Sequence, residues 1–212
     1  MKARKKDLLT IVKRLKNNEI KEIINERIKE FKKMRKKSSE EIFKELCFCI
    51  LTANFNAEKS IKIQQKIGNG FLKLSESELV KKLKNLGHRY PKTRAKYIVS
   101  ARRYKNSLKE IINSNKDEKK LREWLVKNIK GLGYKEASHF LRNVGFTDFA
   151  IIDFHVLDLL ESFELIKKPK SLTKRKYLET EELLRKIAVK SNLSLAELDL
   201  YLWYMETGKI LK

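Results

Sequence analysis

The sequence predicts an all-α protein, and three observations carry that prediction. Two prolines and seven glycines in 212 residues leave few places where a helix must stop. Leu, Ile, Lys and Glu dominate the stretches between them, with apolar residues recurring at helical rather than alternating spacing. Ser38 with Glu41, Ser75 with Glu78 and Ser194 with Glu197 are three Ser-x-x-Glu arrangements. Each precedes an apolar-periodic stretch and supplies acceptors for the orphan N–H groups of a first turn.

Met1 to Lys6 is basic, but an amphipathic stretch follows it rather than the apolar core of a signal peptide, and helices are expected at 4–17 and 19–36. Ser38 introduces a helix at 39–53, and another follows at 57–68. Ser75 introduces 76–86, and a helix at 91–105 comes after the turn at 87–91. Helices at 117–129 and 134–144 are parted by Gly131-Leu132-Gly133. Asp153 opens 154–163, a helix at 174–190 follows, and Ser194 introduces the last at 195–207. The breaks at 54–57, 68–70, 87–91 and 167–171 are too short to separate independent domains. Residues 1–212 are therefore expected to form one compact helical unit of two lobes with a cleft.

Fifty Lys and Arg against 27 Asp and Glu leave a formal charge of +23, which makes a polyanion the natural partner and nucleic acid the commonest one. An anionic membrane surface, or plain solubility, is the competing explanation. A Lys- and Glu-rich, Gln-poor chain is also typical of heat-adapted organisms. No apolar run approaches membrane-spanning length. The expectation is an intracellular, cytoplasmic protein that acts as a monomer. Cys47 and Cys49, two positions apart on a helix, read as reduced core residues, and His88, His139 and His155 lack zinc spacing. No metal, iron–sulfur cluster or other cofactor is expected.

The most informative stretch runs through about 117–144. Leu121, Trp124, Leu125 and Ile129 fall on one helical face, and Ala137, Phe140 and Leu141 do so after the Gly131-Leu132-Gly133 break. The pattern is helix, tight hairpin, helix. Glycines at both corners allow positive φ and leave room for an approaching ligand, while Leu132 plugs the angle between the helices. Backbone N–H groups at the start of the second helix then hold phosphate without reading sequence. An ordinary helical turn with a glycine cap would give the same letters.

This hairpin resembles that of the helix-hairpin-helix DNA glycosylase superfamily. Bifunctional members place a lysine just after the Gly-x-Gly corner and an aspartate about eighteen residues later, before an x-His. The matching strings are Gly131-Leu132-Gly133-Tyr134-Lys135 and Ile151-Ile152-Asp153-Phe154-His155. The resemblance implies the superfamily fold, two helical lobes with the DNA and base cleft between them, and it casts Lys135 and Asp153 as the catalytic pair.

The chemistry requires these residue types. A neutral amine can attack the sugar C1′ and then collapse to a Schiff base, which activates the sugar for strand cleavage; a hydroxyl cannot form that imine. Partial burial and a helix N-terminus both favour the neutral amine, while DNA phosphates oppose it. Asp153 is expected to cap the helix at 154–163 and stay ionised, presenting a fixed anion to the positive charge that develops on the sugar as the base leaves. Each residue also has a bland reading, as a helix cap and as a solvated lysine.

The resemblance suggests a phosphate contact for His155, with a structural histidine as the alternative. His139 and Asp158 read as structural or solvated. Phe48 to Asn54 looks like the superfamily segment whose final Asn or Gln fills the space left by a flipped base. Asn54 is equally suited to closing its own helix. Tyr90, among cations in a loop before a helix, is a candidate for the base pocket. In the last helix Leu195, Leu198, Leu202 and Met205 mark the core side, leaving Trp203 and Asp199 off it, so that Trp203 is a stacking candidate.

With the terminal stretch from Trp203 to Lys212, these segments resemble the type-2 8-oxoguanine DNA glycosylase/lyases, compact archaeal and bacterial members of the superfamily. The resemblance covers nearly the whole chain. It implies double-stranded DNA containing a damaged base as partner, 8-oxoguanine stacked on Tyr90 and Trp203, and Lys212 distinguishing it from guanine, with the terminal carboxylate accepting the N7 hydrogen of the oxidised base. Gly131, Gly133, Asn54 and His155 are the DNA contacts so implied. Two other readings stand beside it: a glycosylase for another damaged base, and a non-catalytic helix-hairpin-helix DNA-binding module, which has no use for Lys135 or Asp153.

Overall fold

A computed structural model of the chain describes residues 7–212; the basic Met1 to Lys6 and the first residues of the helix expected at 4–17 lie outside them. The described residues hold thirteen α-helices and one 3₁₀ turn, with no strand among them. No helix among them is long and apolar enough to cross a membrane. The chain divides into two compact units, Met1–Phe31 with Gly145–Lys212, and Lys32–Val144.

The second unit is built around α3 (Ser39–Thr52), which is buried on nearly every side from Ile42 to Thr52. Its start is set by Ser38, whose hydroxyl accepts the Glu41 N–H at 3.3 Å. Around it lie α4 (Ala57–Ile67), α5 (Gly70–Lys73), α7 (Pro91–Ala101), α8 (Leu108–Ser114) and α10 (Tyr134–Asn143). Two partnerships lie beside these: α6 (Glu76–Asn85) packs on α7, and α9 (Glu118–Asn128) on α10. Cys47 and Cys49 are not in a disulfide and are fully buried in α3. Burial pushes the Cys47 thiol well up, so it stays protonated.

Two departures from the expected elements have physical causes. Residues 91–105 do not make one helix: α7 stops at Ala101 and a 3₁₀ turn, Arg102–Tyr104, follows. The Arg102 Nε donates to the Phe71 carbonyl at 2.8 Å and ties that turn down. The helix α8 lies in a stretch, 106–116, that the sequence leaves unassigned and that is rich in the turn formers Asn106, Ser107, Asn113, Ser114 and Asn115. Leu108 and Ile112, one turn apart, are fully buried, and packing against α3 overrides the local preference.

The first unit contains α1 (Leu8–Lys16), the part of α2 (Ile20–Arg35) up to Phe31, α11 (Phe154–Ser162), α12 (Lys174–Lys190) and α13 (Leu195–Thr207). Ile24, Ile28 and Phe31 of α2 form a buried cluster with Ala196, Leu200 and Tyr201 of α13, and Ile210 of the C-terminal tail packs on it. Ser75 and Ser194 form full reciprocal caps with Glu78 and Glu197.

Candidate active site

The hairpin joins α9 to α10 through residues 129–133. Leu121, Leu125, Ile129, Leu132, Ala137, Phe140 and Leu141 are all buried, so the two amphipathic faces meet as the sequence implies. Gly131 has φ +89°, and a Cβ there would drive into the Tyr97 ring, so both conformation and close packing demand glycine. Gly133 does not use the positive φ that a glycine permits. It has φ −90° and ψ −170°, ordinary extended backbone, because it is the N-cap of α10. Its N–H donates to Glu136 Oε2 at 3.0 Å, so the donor expected to face outward is engaged by the chain's own carboxylate.

Lys135 is the second residue of α10, with its side chain 28% exposed and Nζ 4.0 Å from Glu136 Oε1. Its neighbour Tyr134 is held from two sides by α9. The Arg122 guanidinium lies 5.2 Å from the Tyr134 ring centroid, and the Tyr134 hydroxyl donates to Glu123. Arg122 is itself buried and donates to Ser138 Oγ at 3.1 Å. The first turn of α10, and the lysine on it, are therefore clamped to the preceding helix. His139 is buried and edge-on to Phe48, in keeping with a structural role.

The same unit places Asn54 and Tyr90 in one network with the hairpin. Asn54 is exposed and left-handed, φ +54°, just beyond the end of α3. Asparagine tolerates that conformation better than most residues, so it closes the helix while its side chain faces solvent. Arg94, buried in α7, donates to the Ala53 carbonyl at 2.5 Å. Its guanidinium lies 5.6 Å from the Tyr90 ring and 5.9 Å from that of Tyr97, the ring that touches Gly131. His88 Nε2 donates to the Leu51 carbonyl at 3.1 Å, while Nδ1 accepts the Tyr90 N–H at 3.0 Å. These two bonds fix one neutral tautomer, and burial, with Arg94 nearby, lowers the pKa of His88 below its ordinary value. The sequence places His88, Arg94 and Tyr97 in the basic and aromatic stretch around Tyr90 that could line the base pocket, but nothing local in the letters reveals that Arg94 and His88 converge on the end of α3.

In the first unit, Asp153 is the N-cap of α11, and its Oδ1 accepts the Val156 N–H at 3.1 Å. Two residues on, His155 is exposed and meets Trp203 edge-on, ring centroids 5.8 Å apart. Phe154, between them, is 64% exposed, a large apolar surface that sequence reasoning did not single out. Trp203 is partly buried on α13. The expected core stripe on that helix needs correction. Leu195, Ala196, Leu198, Asp199, Leu200, Tyr201 and Leu202 are all buried, Met205 only partly, and Asp199 faces inward, where its carboxylate accepts the Ile151 N–H at 3.0 Å. Lys212 is partly buried at the end of a tail that leaves α13 through left-handed Gly208 and is anchored by Ile210.

Two helices packed on each other that meet at a glycine corner, with a part-buried lysine in the first turn of the second, define a helix-hairpin-helix protein. A family model described as 8-oxoguanine DNA glycosylase matches residues 24–193. A relative from Methanocaldococcus jannaschii named 8-oxoguanine DNA glycosylase/AP lyase is 60% identical, covering 97% of this chain and 99% of its own. One of the same name from Thermotoga sp. (strain RQ2) is 46% identical over 96% of this chain and 98% of its own. The solved structure of the M. jannaschii enzyme in complex with a 15-mer DNA containing 8-oxoguanine superposes with a TM-score of 0.94, covering 97% of this chain and 99% of that one, at 60% identity. The chain belongs to the 8-oxoguanine DNA glycosylase family.

Proposed function

We propose that this chain removes 8-oxoguanine from double-stranded DNA and then cleaves the strand at the abasic sugar, with Lys135 as nucleophile. The observation that carries the reading is the position of Lys135: part-buried, in the first turn of α10, directly after the Gly131-Leu132-Gly133 hairpin of a chain in this family. The neutral amine attacks C1′ as the base leaves with the electron pair of the glycosidic bond. Loss of a proton from nitrogen and opening of the sugar ring give an imine. That imine acidifies the 2′ position, and β-elimination expels the 3′ phosphate. No cofactor enters any of these steps.

Asp153 uses Oδ1 to cap α11, which holds its carboxylate in one place. A fixed anion of this kind stabilises the positive charge on the sugar. The hairpin at Gly131 and Gly133, together with His155, contacts phosphate, and Asn54 enters the space vacated by the flipped base. Tyr90 and Trp203 stack on the base, and Lys212 distinguishes it from guanine. A site that hydrogen-bonds the N7 hydrogen discriminates strongly, since guanine leaves the acceptor unpaired. The formal charge of +23 suits a DNA ligand, and the two units act as lobes of one intracellular monomer.

The test is a panel of duplexes carrying 8-oxoguanine, oxidised pyrimidines or alkylated bases, incubated with the protein and borohydride. The expected result is excision and a reduced covalent adduct with the 8-oxoguanine duplex. Excision confined to another lesion would reassign the substrate, and binding without an adduct on any duplex would leave only a DNA-binding module.

A further inference from the structure

Residues 148–153 deliver Asp153 to the start of α11 without regular secondary structure and without a neighbouring strand. Three consecutive N–H groups, at Ala150, Ile151 and Ile152, are nevertheless bound, and the partners form a pattern. The Ala150 N–H donates to Glu181 Oε1 at 3.3 Å, and the Ile152 N–H donates to the Tyr177 hydroxyl at 3.3 Å. That hydroxyl in turn donates to the Ala150 carbonyl at 2.7 Å. Arg185 pairs with the Asp148 carboxylate and lies 3.9 Å from Glu181. The Ile151 N–H, between the two that face α12, donates to Asp199 on α13.

Tyr177, Glu181 and Arg185 are spaced four apart on α12, and their partners at 152, 150 and 148 are spaced two apart. Four helical residues rise about 6 Å, and two extended residues advance about 6.6 Å. One face of a helix thus runs in register alongside the segment and supplies, from side chains, the hydrogen bonds a strand would give. Tyr177, Glu181 and Asp199 are all buried, and so are Ala150, Ile151 and Ile152, so these groups are shielded from exchange with water.

We infer that Tyr177, Glu181 and Asp199 are positioning residues for the excision reaction, acting through Asp153. The segment they hold ends at Asp153, one residue beyond Ile152, so the register of this ladder sets where the carboxylate stands. Tyr177 is its centre, since one hydroxyl bridges the peptides on either side of Ile151. The inference rests on the catalytic reading of Asp153.

The test compares wild type, Tyr177→Phe, Asp153→Asn and the double variant. Excision of 8-oxoguanine is followed under single-turnover conditions with saturating enzyme, over hours where needed. Binding is measured on a duplex carrying a tetrahydrofuran abasic analogue. Tyr177→Phe keeps the ring and removes only the bridge. It is expected to slow excision about tenfold or more, as small displacements of a catalytic group do, with binding within about twofold of wild type. In the Asp153→Asn background it is expected to have no further effect. Equal slowing in both backgrounds, unchanged excision, or a parallel loss of binding would overturn the inference. If Asp153→Asn alone leaves excision intact, the role of Asp153 itself fails, a result distinct from a silent Tyr177→Phe. Glu181→Gln, measured in the same way, serves should Tyr177→Phe not fold, with the same expected and overturning outcomes.

Discussion

The hairpin that carries Lys135 and the segment that carries Asp153 reach the same end by opposite means. The hairpin is supported by its own sequence neighbourhood: Glu136 holds Gly133, and Arg122 and Glu123 of the adjoining helix hold Tyr134. The Asp153 segment has almost no local support. The N–H groups of Ala150, Ile151 and Ile152 are bound by Glu181, Asp199 and Tyr177, which lie 25 to 48 residues away in sequence. A locally braced element shows itself in the letters, whereas a remotely braced one shows only its end point.

The largest effect that would separate the two is expected at the hairpin corner. Gly131→Ala must enter a left-handed conformation and displace the Tyr97 ring, and is expected to cost about 2–4 kcal/mol. Gly133→Ala, whose Cβ would meet only the Glu136 carboxylate at 3.2 Å, is expected to cost less than about 1 kcal/mol. Urea unfolding of both variants checks the contrast, and equal losses would break the account of the corner.

Next in size is Asp199→Ala, which leaves the buried Ile151 N–H without its carboxylate. A loss of about 1–3 kcal/mol in urea unfolding is expected, with slower excision and retained affinity for abasic DNA. Unchanged excision at reduced stability would make the support merely structural.

The smallest effect concerns pH. His88 is held neutral, its pKa depressed by burial below the ordinary value of 6.5, with Nδ1 already accepting the Tyr90 N–H. The unfolded chain takes up a proton near 6.5 while the folded one does not. His88 thus contributes stability that is fully present above that pH and is lost as pH falls below 6.5 toward the folded pKa. Thermal melts of His88→Gln and the parent between pH 7.5 and 5 (about the window set by that shift) are expected to show a weaker acid destabilisation in the variant. Identical slopes would contradict the assignment.

The comparison also explains what could be read from the sequence. The helical class, the serine caps, the hairpin with Lys135 and the cap at Asp153 all depend on spacings of a few residues, and all appear where the letters put them. The helix at Leu108–Ser114, the inward turn of Asp199 and the convergence of Arg94 and His88 on the end of α3 depend on contacts tens of residues apart. Asp199 misled for a further reason. A carboxylate on the last helix suggests a solvated face, whereas Asp199 turns inward to accept the Ile151 N–H.

The central claim is that one amine performs the chemistry, and a single measurement addresses it. The protein is incubated with an 8-oxoguanine duplex and borohydride, the adduct is digested, and the modified residue is identified by mass spectrometry. The account predicts the sugar remnant on Lys135, and no adduct with Lys135→Gln, which still binds the duplex. An adduct on any other lysine, or undiminished trapping by Lys135→Gln, would contradict it.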